Sequence, residues 1–277
     1  MRTYDHLRFV AHRLAVARRP RHEWTLIFLH IPKTAGTSLR QAIGSAYEPH
    51  ERLYLYDNPS LEGSLSPKEF KQLPEETRAR LRFVMGHIPF GLHRSIPRES
   101  RYVVVLRDPV ERVVSHYYHY RQVVDPGKTN RAAAERRLIE SEGVSLEDWA
   151  FGLERAEADN QLVRQISGKA GLRYGQCTEG TLAQAIENID EHFEMVMFAE
   201  SMTVSARMLG SRLGFAIPMQ EPANVNARRP GVADLDSQVV DRLRELNRFD
   251  VELYERMWSR FQGARGAAHG LRWRPWA

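Results

Sequence analysis

The chain has 277 residues, 42% of them hydrophobic and 27% charged, with a formal net charge of +5. These fractions are ordinary for a soluble globular protein, and the single cysteine, Cys177, excludes an intrachain disulfide framework and fits a reducing compartment. No apolar run approaches the ~20 residues that span a bilayer, and none near the start has the form of a secretory signal. We therefore expect a cytoplasmic protein without a transmembrane segment.

The positive charge of the chain indicates an anionic partner. A polyanionic nucleotide, a nucleic acid and an anionic membrane surface agree with this charge equally well. The sequence contains no recognisable nucleic-acid-binding module and no pattern of interleaved aromatic and basic residues. We therefore expect no nucleic-acid partner.

Residues 1–22 contain six arginines, together with apolar side chains at helical spacing: Tyr4, Leu7, Val10 and Leu14. This pattern predicts a basic amphipathic helix. Such a helix either packs on the main body of the protein or makes a peripheral contact with a membrane. The sequence leaves both possibilities open.

A strand, a small-residue turn and a helix follow in direct succession. The apolar run Leu26–Leu29 predicts a buried parallel strand. After the turn, Leu39, Ala42 and Ile43 recur at helical spacing. This arrangement suits a phosphate, because the N–H groups at a helix start are unpaired and lie at the positive end of the helix dipole. Lys33, in the turn, adds a full positive charge.

The order of residues in this turn is Pro-Lys-Thr-Ala-Gly-Thr-Ser, which differs from a Walker A motif, where the lysine follows the glycine. It resembles the 5′-phosphosulfate loop of sulfotransferases that use 3′-phosphoadenosine 5′-phosphosulfate (PAPS). It is most similar to the carbohydrate branch, the heparan and chondroitin enzymes of the sulfotransferase family 2 type. The resemblance implies that six residues bind the cofactor: Lys33, Thr34, Ala35, Gly36, Thr37 and Ser38. A tight turn with a solvated lysine is the alternative.

Residues 82–94 predict a short strand that ends at Gly86-His87. Side chains at the carboxyl ends of strands in an open α/β sheet lie where ligands bind. In the family that the turn resembles, a strand followed by Gly-His carries the catalytic base, which implies this role for His87. His93 is a weaker candidate for substrate contact. The alternative for His87 is a histidine that caps a loop.

The β-branched run Val103–Leu106 predicts another buried strand, and Asp108, followed by proline and then glutamate, predicts a helix start. Arg107 lies at the strand end, and Ser115 follows on the helix. This segment resembles the 3′-phosphate motif of PAPS-dependent sulfotransferases, which implies that Arg107 and Ser115 hold the 3′-phosphate. Arginine suits this task because its planar fork binds phosphate through two hydrogen bonds. Asp108 also fits a Walker B carboxylate, although helix capping explains it fully.

Two further segments carry weaker resemblances. Residues 160–168 resemble a stretch that lines the active cleft of the family, which implies substrate contacts for Asn160 and Arg164. A plain amphipathic helix is the alternative. A family loop covers the adenosine and the 3′-phosphate, and the long loop at 216–233 is similar to it, so that Arg228 or Arg229 adds charge there. A solvated basic loop is the alternative for these arginines.

The remaining patterns predict these elements: a strand at Leu53–Tyr56, helices that begin at Ser66 and Ser145, a helix over Thr181–Phe193, a strand over Met195–Ala199, and helices near 234–246 and 248–261. Three strand-to-helix units predict an α/β protein with a three-layer, P-loop-like fold, in which helices flank a central parallel sheet. We expect one such domain over residues 23–262, between the basic helix and a C-terminal tail over 263–277.

The resemblance as a whole implies a PAPS-dependent sulfotransferase that acts on a hydroxyl group, on a carbohydrate. His87 would take the proton of the acceptor, and Lys33 would stabilise charge on the leaving phosphate. No cluster of histidine, cysteine or carboxylate side chains has metal-ligand spacing, so no metal is expected. Two alternatives stay open, a nucleotide-dependent phosphotransferase and a non-catalytic anion-binding protein.

Overall fold

A computed structural model describes residues 20, 22–56, 64–122, 124, 127, 131–219 and 230–267. These residues form two compact units. The first contains the described residues of Met1–His30, Ala35–Val105 and His192–Ala223, and the second those of Ile31–Thr34, Leu106–Glu191 and Asn224–Ala277. Most of the predicted helix over 1–22, both Arg228 and Arg229, and most of the predicted tail lie outside the described residues. The predicted single domain over 23–262 stays a prediction.

The strands are β1 (Thr25–Leu29), β2 (Arg52–Leu55), β3 (Ser64–Leu65), β4 (Phe83–Gly86), β5 (Ser100–Leu106) and β6 (Phe193–Phe198). They form one sheet in the order β3-β2-β4-β1-β5-β6. The pairs β1–β4, β1–β5, β2–β3 and β2–β4 are parallel. Apart from Leu106, the whole sheet belongs to the first unit.

The helices are α1 (Gly36–Gly44), α2 (Pro67–Gln72), α3 (Glu75–Ala79), α4 (Pro109–Gln122), α5 (Arg131–Ser141), α6 (Gln161–Ile166), α7 (Glu179–His192), α8 (Met202–Leu213), α9 (Ser237–Leu246) and α10 (Arg248–Ala267). Short 3₁₀ turns lie at Pro49–Glu51, Leu92–Ser95, Ala156–Ala158, Ala199–Ser201 and Val232–Asp234. α1, α2, α3 and α8 share the first unit with the sheet. The predicted α/β class, a parallel sheet flanked by helices, is confirmed. None of the described helices is both long and apolar enough to cross a membrane.

β1 lies in the interior of the sheet, and all of its residues are buried. A parallel strand that is covered on both faces needs apolar side chains on both, so a continuous apolar run replaces the usual alternation. Leu29 pairs with Gly86 of β4, and Gly86 pairs with Leu55 of β2. The carboxyl ends of these three strands are therefore in register, and the residues that follow them begin at the same level.

Two predicted helix starts are confirmed by their caps. The backbone N–H of Glu69 donates to Ser66 Oγ over 3.2 Å, and the Glu69 carboxylate accepts from the N–H of Ser66 over 2.7 Å. At α4 the N–H of Glu111 donates to Asp108 Oδ1 over 2.9 Å. This bond supports the capping interpretation of Asp108 over the Walker B alternative.

The helix predicted to begin at Ser145 is present but short, and it widens into a π-helix. Ser145 and Asp148 form the expected cap, with Ser145 Oγ donating to Asp148 Oδ2 over 2.6 Å. The N–H of Trp149 donates to the Ser145 carbonyl over 3.0 Å as in an α-helix. The helix then continues as a π-helix over Asp148–Gly152, where the N–H of Leu153 donates to the Asp148 carbonyl over 2.8 Å. The wider turn leads Trp149 into the core, where its indole N–H donates to Glu135 over 2.8 Å. A buried tryptophan with a polar partner thus lies within the π-helix that ends this element.

The core of the second unit is built on α4. Val113, Val114 and Tyr117 of α4 pack in one buried cluster with Trp149 and Leu243. The Tyr117 hydroxyl donates to the carbonyl of Val144 over 2.8 Å. This packing holds α4, and with it the helix face that carries Ser115.

Candidate active site

The turn between β1 and α1 is strained at two residues. Lys33 has φ 72° and Ala35 has φ 66°, in the left-handed region that residues other than glycine seldom adopt. Such residues cost about 1–3 kcal/mol each and cluster at functional sites. Alternation of left-handed and ordinary backbone turns successive N–H groups to one side, as in an anion-binding nest. Ala35 is also the N-cap of α1, and its methyl group offers no acceptor to close the helix start.

The other predicted residues of this turn have different surroundings. Thr34 is buried, and its hydroxyl donates to the Ile31 carbonyl over 2.9 Å, so a ligand would meet its N–H and not its hydroxyl. Gly36 is buried, and a Cβ there would lie 2.4 Å from Cδ2 of the His30 ring, which explains the glycine. Thr37 and Ser38 lie in the first turn of α1, and their side chains are outside the described part.

The residues that directly follow three neighbouring strands lie side by side at the carboxyl edge of the sheet: His30 after β1, Tyr56 after β2 and His87 after β4. The ring centroids of His30 and His87 are 4.9 Å apart, and those of Tyr56 and His87 are 4.7 Å apart. His30 Nδ1 is 2.9 Å from the Tyr56 hydroxyl. With Arg40 of α1, whose Cζ lies 6.0 Å from the Tyr56 ring centroid, they form what we call the carboxyl-edge cluster.

A chain of hydrogen bonds orders this cluster. Arg40 hydrogen-bonds to Tyr56, and burial raises the pKa of the phenol, which therefore keeps its proton. Since a guanidinium only donates, the Tyr56 oxygen accepts from Arg40, and the same hydroxyl shares a hydrogen bond with Nδ1 of His30. The two rings that flank His87 are thereby held in place by polar partners as well as by packing.

His87 has its position set by the backbone. Its N–H donates to the Leu55 carbonyl over 3.1 Å, and a Cβ on Gly86 would lie 1.9 Å from that oxygen. The close approach of β2 thus explains why residue 86 is glycine. Part of the imidazole is exposed, but surrounding protein atoms, and then the charge of Arg40, lower the pKa of His87 from 6.5 to about 4. At neutral pH the ring is uncharged and can accept a proton.

The pH dependence of activity should report this depressed pKa. A general base works when unprotonated, so kcat/KM of the wild type should fall only as the pH drops toward about 4. Arg40→Gln removes one cause of the depression, and the acid limb should move up toward the ordinary value of 6.5. Arg94→Gln, which removes an exposed arginine beside His93, is the matched control and should leave the limb in place. An unchanged limb in Arg40→Gln would contradict the assignment.

Lys33 and Arg107 lie together in the second unit. Nη1 of Arg107 donates to the Lys33 carbonyl over 3.3 Å. Nη2 of Arg107 lies 3.0 Å from Oε2 of Glu111, one turn into α4, and this ion pair is partly exposed. The structure therefore brings the predicted 3′-phosphate arginine to the predicted phosphate turn. An incoming phosphate would compete with the Glu111 carboxylate for the guanidinium.

Ser115 and His119 continue this site along α4. Ser115 is half-buried, and His119 follows one turn further. Burial, and then the charge of Lys33, lower the pKa of His119 to about 4. The charge of Lys33 thus acts on α4 as far as His119, and Ser115 lies between Arg107 and that histidine along the helix. His119 lies four residues after Ser115 and therefore on the same face of α4.

His93 lies away from the carboxyl edge. Its Nδ1 is 3.0 Å from the hydroxyl of Tyr102, in the first half of β5. Its ring stacks on His192, which directly precedes β6, at a centroid distance of 4.8 Å. Strand starts and strand ends lie at opposite edges of a parallel sheet, and ligands bind at the ends. This placement argues against the substrate contact predicted for His93.

Asn160 and Arg164 are buried and have partners within the second unit. Asn160 Oδ1 accepts from the N–H groups of Phe249 and Asp250, at 3.0 Å each. Arg164 pairs with Asp159 over 3.3 Å. These bonds tie the start of α6 to the start of α10, so both side chains support the fold. These bonds argue against the predicted substrate contacts, and α6 also differs from the alternative amphipathic helix, because five of its six residues are buried. The partners of Asn160 lie 89 and 90 residues away in sequence, so no local pattern could show them. The predicted role of Arg229 falls outside the described residues.

His30 and Tyr56 were missed as site residues, although a signal for them exists. Each directly follows a strand, His30 after Leu29 and Tyr56 after Leu55. The rule that singled out His87, a polar side chain at a strand end, applies to both. Arg40 carries no such signal, since it is one of many arginines on helices.

Comparison with known proteins decides the family. A family model described as Galactose-3-O-sulfotransferase matches residues 8–270. The chain belongs to the galactose-3-O-sulfotransferase family. The carbohydrate sulfotransferase family predicted from the loop and the Arg107–Ser115 segment is thereby confirmed.

This galactose-3-O-sulfotransferase family member is similar to three curated relatives over part of their length. Galactose-3-O-sulfotransferase 3 of Bos taurus is 26% identical over 245 residues, which cover 86% of this chain and 56% of the relative. The Homo sapiens protein of the same name has the same identity and coverage. Galactose-3-O-sulfotransferase 2 of Homo sapiens is 24% identical over 190 residues, or 65% of this chain and 44% of the relative. The chain thus spans about half the length of the curated relatives that it matches.

Two solved structures are remotely similar. The sulfotransferase of Alicyclobacillus acidocaldarius has a TM-score of 0.44 and 13% identity, and the match covers 86% of this chain and 95% of that one. A mouse sulfotransferase complexed with PAP has a TM-score of 0.35 and 14% identity, and the match covers 85% of this chain and 68% of that one. These values describe a distant likeness.

Proposed function

We propose that this protein moves the sulfuryl group of PAPS to a hydroxyl group of a carbohydrate by in-line displacement at sulfur. The observation that carries the proposal is the family match over residues 8–270, since this range contains the strained turn, His87 and Arg107. The relatives are named galactose-3-O-sulfotransferases. By analogy with them, the acceptor sugar is galactose and the nucleophile is its 3-hydroxyl.

The residues around the turn fit a nucleotide with phosphates at both ends of its ribose. Lys33 and Ala35 hold the backbone in an N–H-rich conformation, and Lys33 adds charge. Arg107 already bonds to the Lys33 carbonyl, and with Ser115 on the same segment it would hold the 3′-phosphate. Bound PAPS would supply the sulfuryl group, with 3′,5′-bisphosphoadenosine as the product.

Each of the named residues then has one task. His87 takes the proton of the acceptor hydroxyl, which is too weakly acidic to attack well without a base. Lys33 stabilises the negative charge that grows on the leaving phosphate. Arg107 and Ser115 bind and orient the nucleotide. Negative charge near the carboxyl-edge cluster would offset Arg40 and raise the pKa of His87 toward neutrality, where a general base is most effective.

Nucleotide preference tests this proposal against the alternative of a phosphotransferase. In calorimetry, 3′,5′-bisphosphoadenosine should bind much more tightly than 5′-AMP or ATP, because only the bisphosphate engages both the turn and Arg107. Tighter binding of ATP, with dependence on magnesium, would favour the phosphotransferase. Failure of all three nucleotides to bind would favour a non-catalytic anion-binding protein.

Arg107→Ala should weaken binding of 3′,5′-bisphosphoadenosine by about 1.5–3 kcal/mol, the range for hydrogen bonds to charged groups. Binding of 5′-AMP, which lacks the 3′-phosphate, should change little. Arg101→Ala is the matched control, because Arg101 is exposed and pairs only with Glu99 among the described residues. Equal losses for the bisphosphate and for 5′-AMP would show that Arg107 does not read the 3′-phosphate.

A further inference from the structure

A cavity lies at the edge of the sheet opposite the carboxyl-edge cluster, among the residues that precede the strands. It has a volume of about 770 Å³, within the range of sites for small molecules. Glu23 precedes β1, Glu51 precedes β2, Arg82 precedes β4 and Arg98 lies just before β5, and all four line the cavity. The strands separate this edge from the carboxyl-edge cluster by about 16 Å, from the rise of a five-residue strand. The proposed sulfuryl transfer uses none of these residues.

The charges of the cavity are only partly neutralised. Its wall carries three arginines and two glutamates. Arg82 and Glu51 form one ion pair, with Nη1 lying 3.7 Å from Oε1. Nη2 of Arg82 donates to the carbonyls of Pro20 and His22, while its Nε is buried without a partner. Arg80 and Arg98 form no ion pair with the described residues. Arg80 and Arg98 therefore line the cavity without an ion-pair partner in that part of the chain.

His22 lies at the cavity wall, and its pKa responds to the charges around it. Burial is the first cause that lowers the pKa of His22 to about 4, and the charges of Arg82 and Arg98 lower it further. These effects outweigh the hydrogen bond from the ring to the Trp24 carbonyl, which acts in the opposite direction. The charges of Arg82 and Arg98 thus both act on a side chain of the cavity wall.

We propose that this cavity binds a small sugar that carries a sulfate or phosphate ester. Guanidinium groups match a tetrahedral oxyanion through paired hydrogen bonds, which Arg80 and Arg98 can supply. Glu23, which has no ion pair in the described part, can accept hydrogen bonds from sugar hydroxyls. A concave site of this volume suits such a molecule better than the flat surface of an anionic membrane does. The proposal does not depend on the proposed sulfuryl transfer.

Calorimetry on the full chain, with 3′,5′-bisphosphoadenosine at saturating concentration, tests the proposal. The probes are galactose 6-sulfate and galactose 6-phosphate, with galactose, inorganic sulfate and phosphatidylserine vesicles as comparisons. One equivalent of each ester should bind at the cavity, more tightly than inorganic sulfate. Galactose lacks the ester and should bind, if at all, only at the acceptor site, with the same affinity in the wild type and in the two variants below. Arg98→Gln and Arg80→Gln should each weaken ester binding about tenfold or more, as for a lost hydrogen bond to a charged group. Their melting temperatures should stay unchanged, since neither side chain has an ion pair to lose.

Arg101→Gln is the matched control, because this exposed arginine lies in β5 but outside the cavity, and it should bind the esters as the wild type does. Equal ester affinity in Arg98→Gln, Arg80→Gln and the wild type would overturn the proposal. So would tighter binding of inorganic sulfate than of the esters, or binding to vesicles alone. If the bisphosphate itself does not bind, the ester titrations of wild type and variants still decide the question, so failure of the two proposals can be told apart.

Discussion

His87→Ala should reduce kcat by roughly 10²–10⁴-fold, the range for loss of a general base. The imidazole lies at the carboxyl edge of the sheet, flanked by His30 and Tyr56, and it is uncharged at neutral pH because its pKa is lowered to about 4. Truncation removes the only atom assigned to accept the proton of the acceptor hydroxyl. The measurement is the initial rate of label transfer from PAPS to a galactoside at saturating concentrations of both.

The same variant should bind 3′,5′-bisphosphoadenosine with the affinity of the wild type, and its melting temperature should stay close, because part of the ring is exposed. His93→Ala is the matched control, since His93 lies beside Tyr102 and away from that edge. Its kcat per folded molecule should remain near that of the wild type. Full activity in His87→Ala would overturn the base assignment, and His30, the neighbouring imidazole, would be the next candidate.

Lys33→Ala should lower kcat by about 10²–10³-fold, the range for loss of one group that stabilises developing charge. Lys33 lies in the strained turn at φ 72°. Charge on the leaving phosphate grows during transfer, so the ammonium should act more strongly on the transition state than on the bound nucleotide. The measurement is kcat from steady-state kinetics, beside the Kd of 3′,5′-bisphosphoadenosine from calorimetry.

Arg107→Ala should change nucleotide binding and kcat in the opposite proportion to Lys33→Ala. Because Arg107 binds the end of the nucleotide that does not react, its removal should weaken nucleotide binding with a smaller effect on kcat. For Lys33→Ala, a loss of nucleotide binding as large as the loss of kcat would make the lysine a binding residue only. Lys33→Ala should leave the backbone strain at this position unchanged, because alanine also carries a Cβ in the left-handed region.

Much of the fold follows from local patterns in the sequence. The apolar run Leu26–Leu29 and the β-branched run before Arg107 are strands, because a strand covered on both faces must be apolar throughout. Ser66 and Asp108 begin helices through the hydrogen bonds that their side chains make. The two-residue strand β3 carries no comparable pattern, and the order of the six strands depends on pairings that no local segment encodes.

The site was predictable where one segment carries the chemistry. The turn around Lys33, the Gly86-His87 pair and the Arg107–Ser115 segment each have a local pattern, and the structure brings Arg107 to Lys33. The carboxyl-edge cluster has no such pattern. It depends on β2, β4 and β1 being neighbours in the sheet, which places Tyr56 and His30 on either side of His87. The sequence around Asn160 also does not show whether its side chain is buried in a polar network or exposed on a helix face, because its partners are distant in sequence.

Transfer of ³⁵S from labelled PAPS to a β-galactoside, measured with a metal chelator present, tests the central claim most directly. The account predicts that label appears on the sugar, at its 3-hydroxyl, with one 3′,5′-bisphosphoadenosine released for each sulfate ester formed. His87→Ala should abolish most of this transfer while the nucleotide still binds. Absence of label on any hydroxyl acceptor, together with magnesium-dependent transfer of phosphate from ATP to the same sugars, would contradict the account.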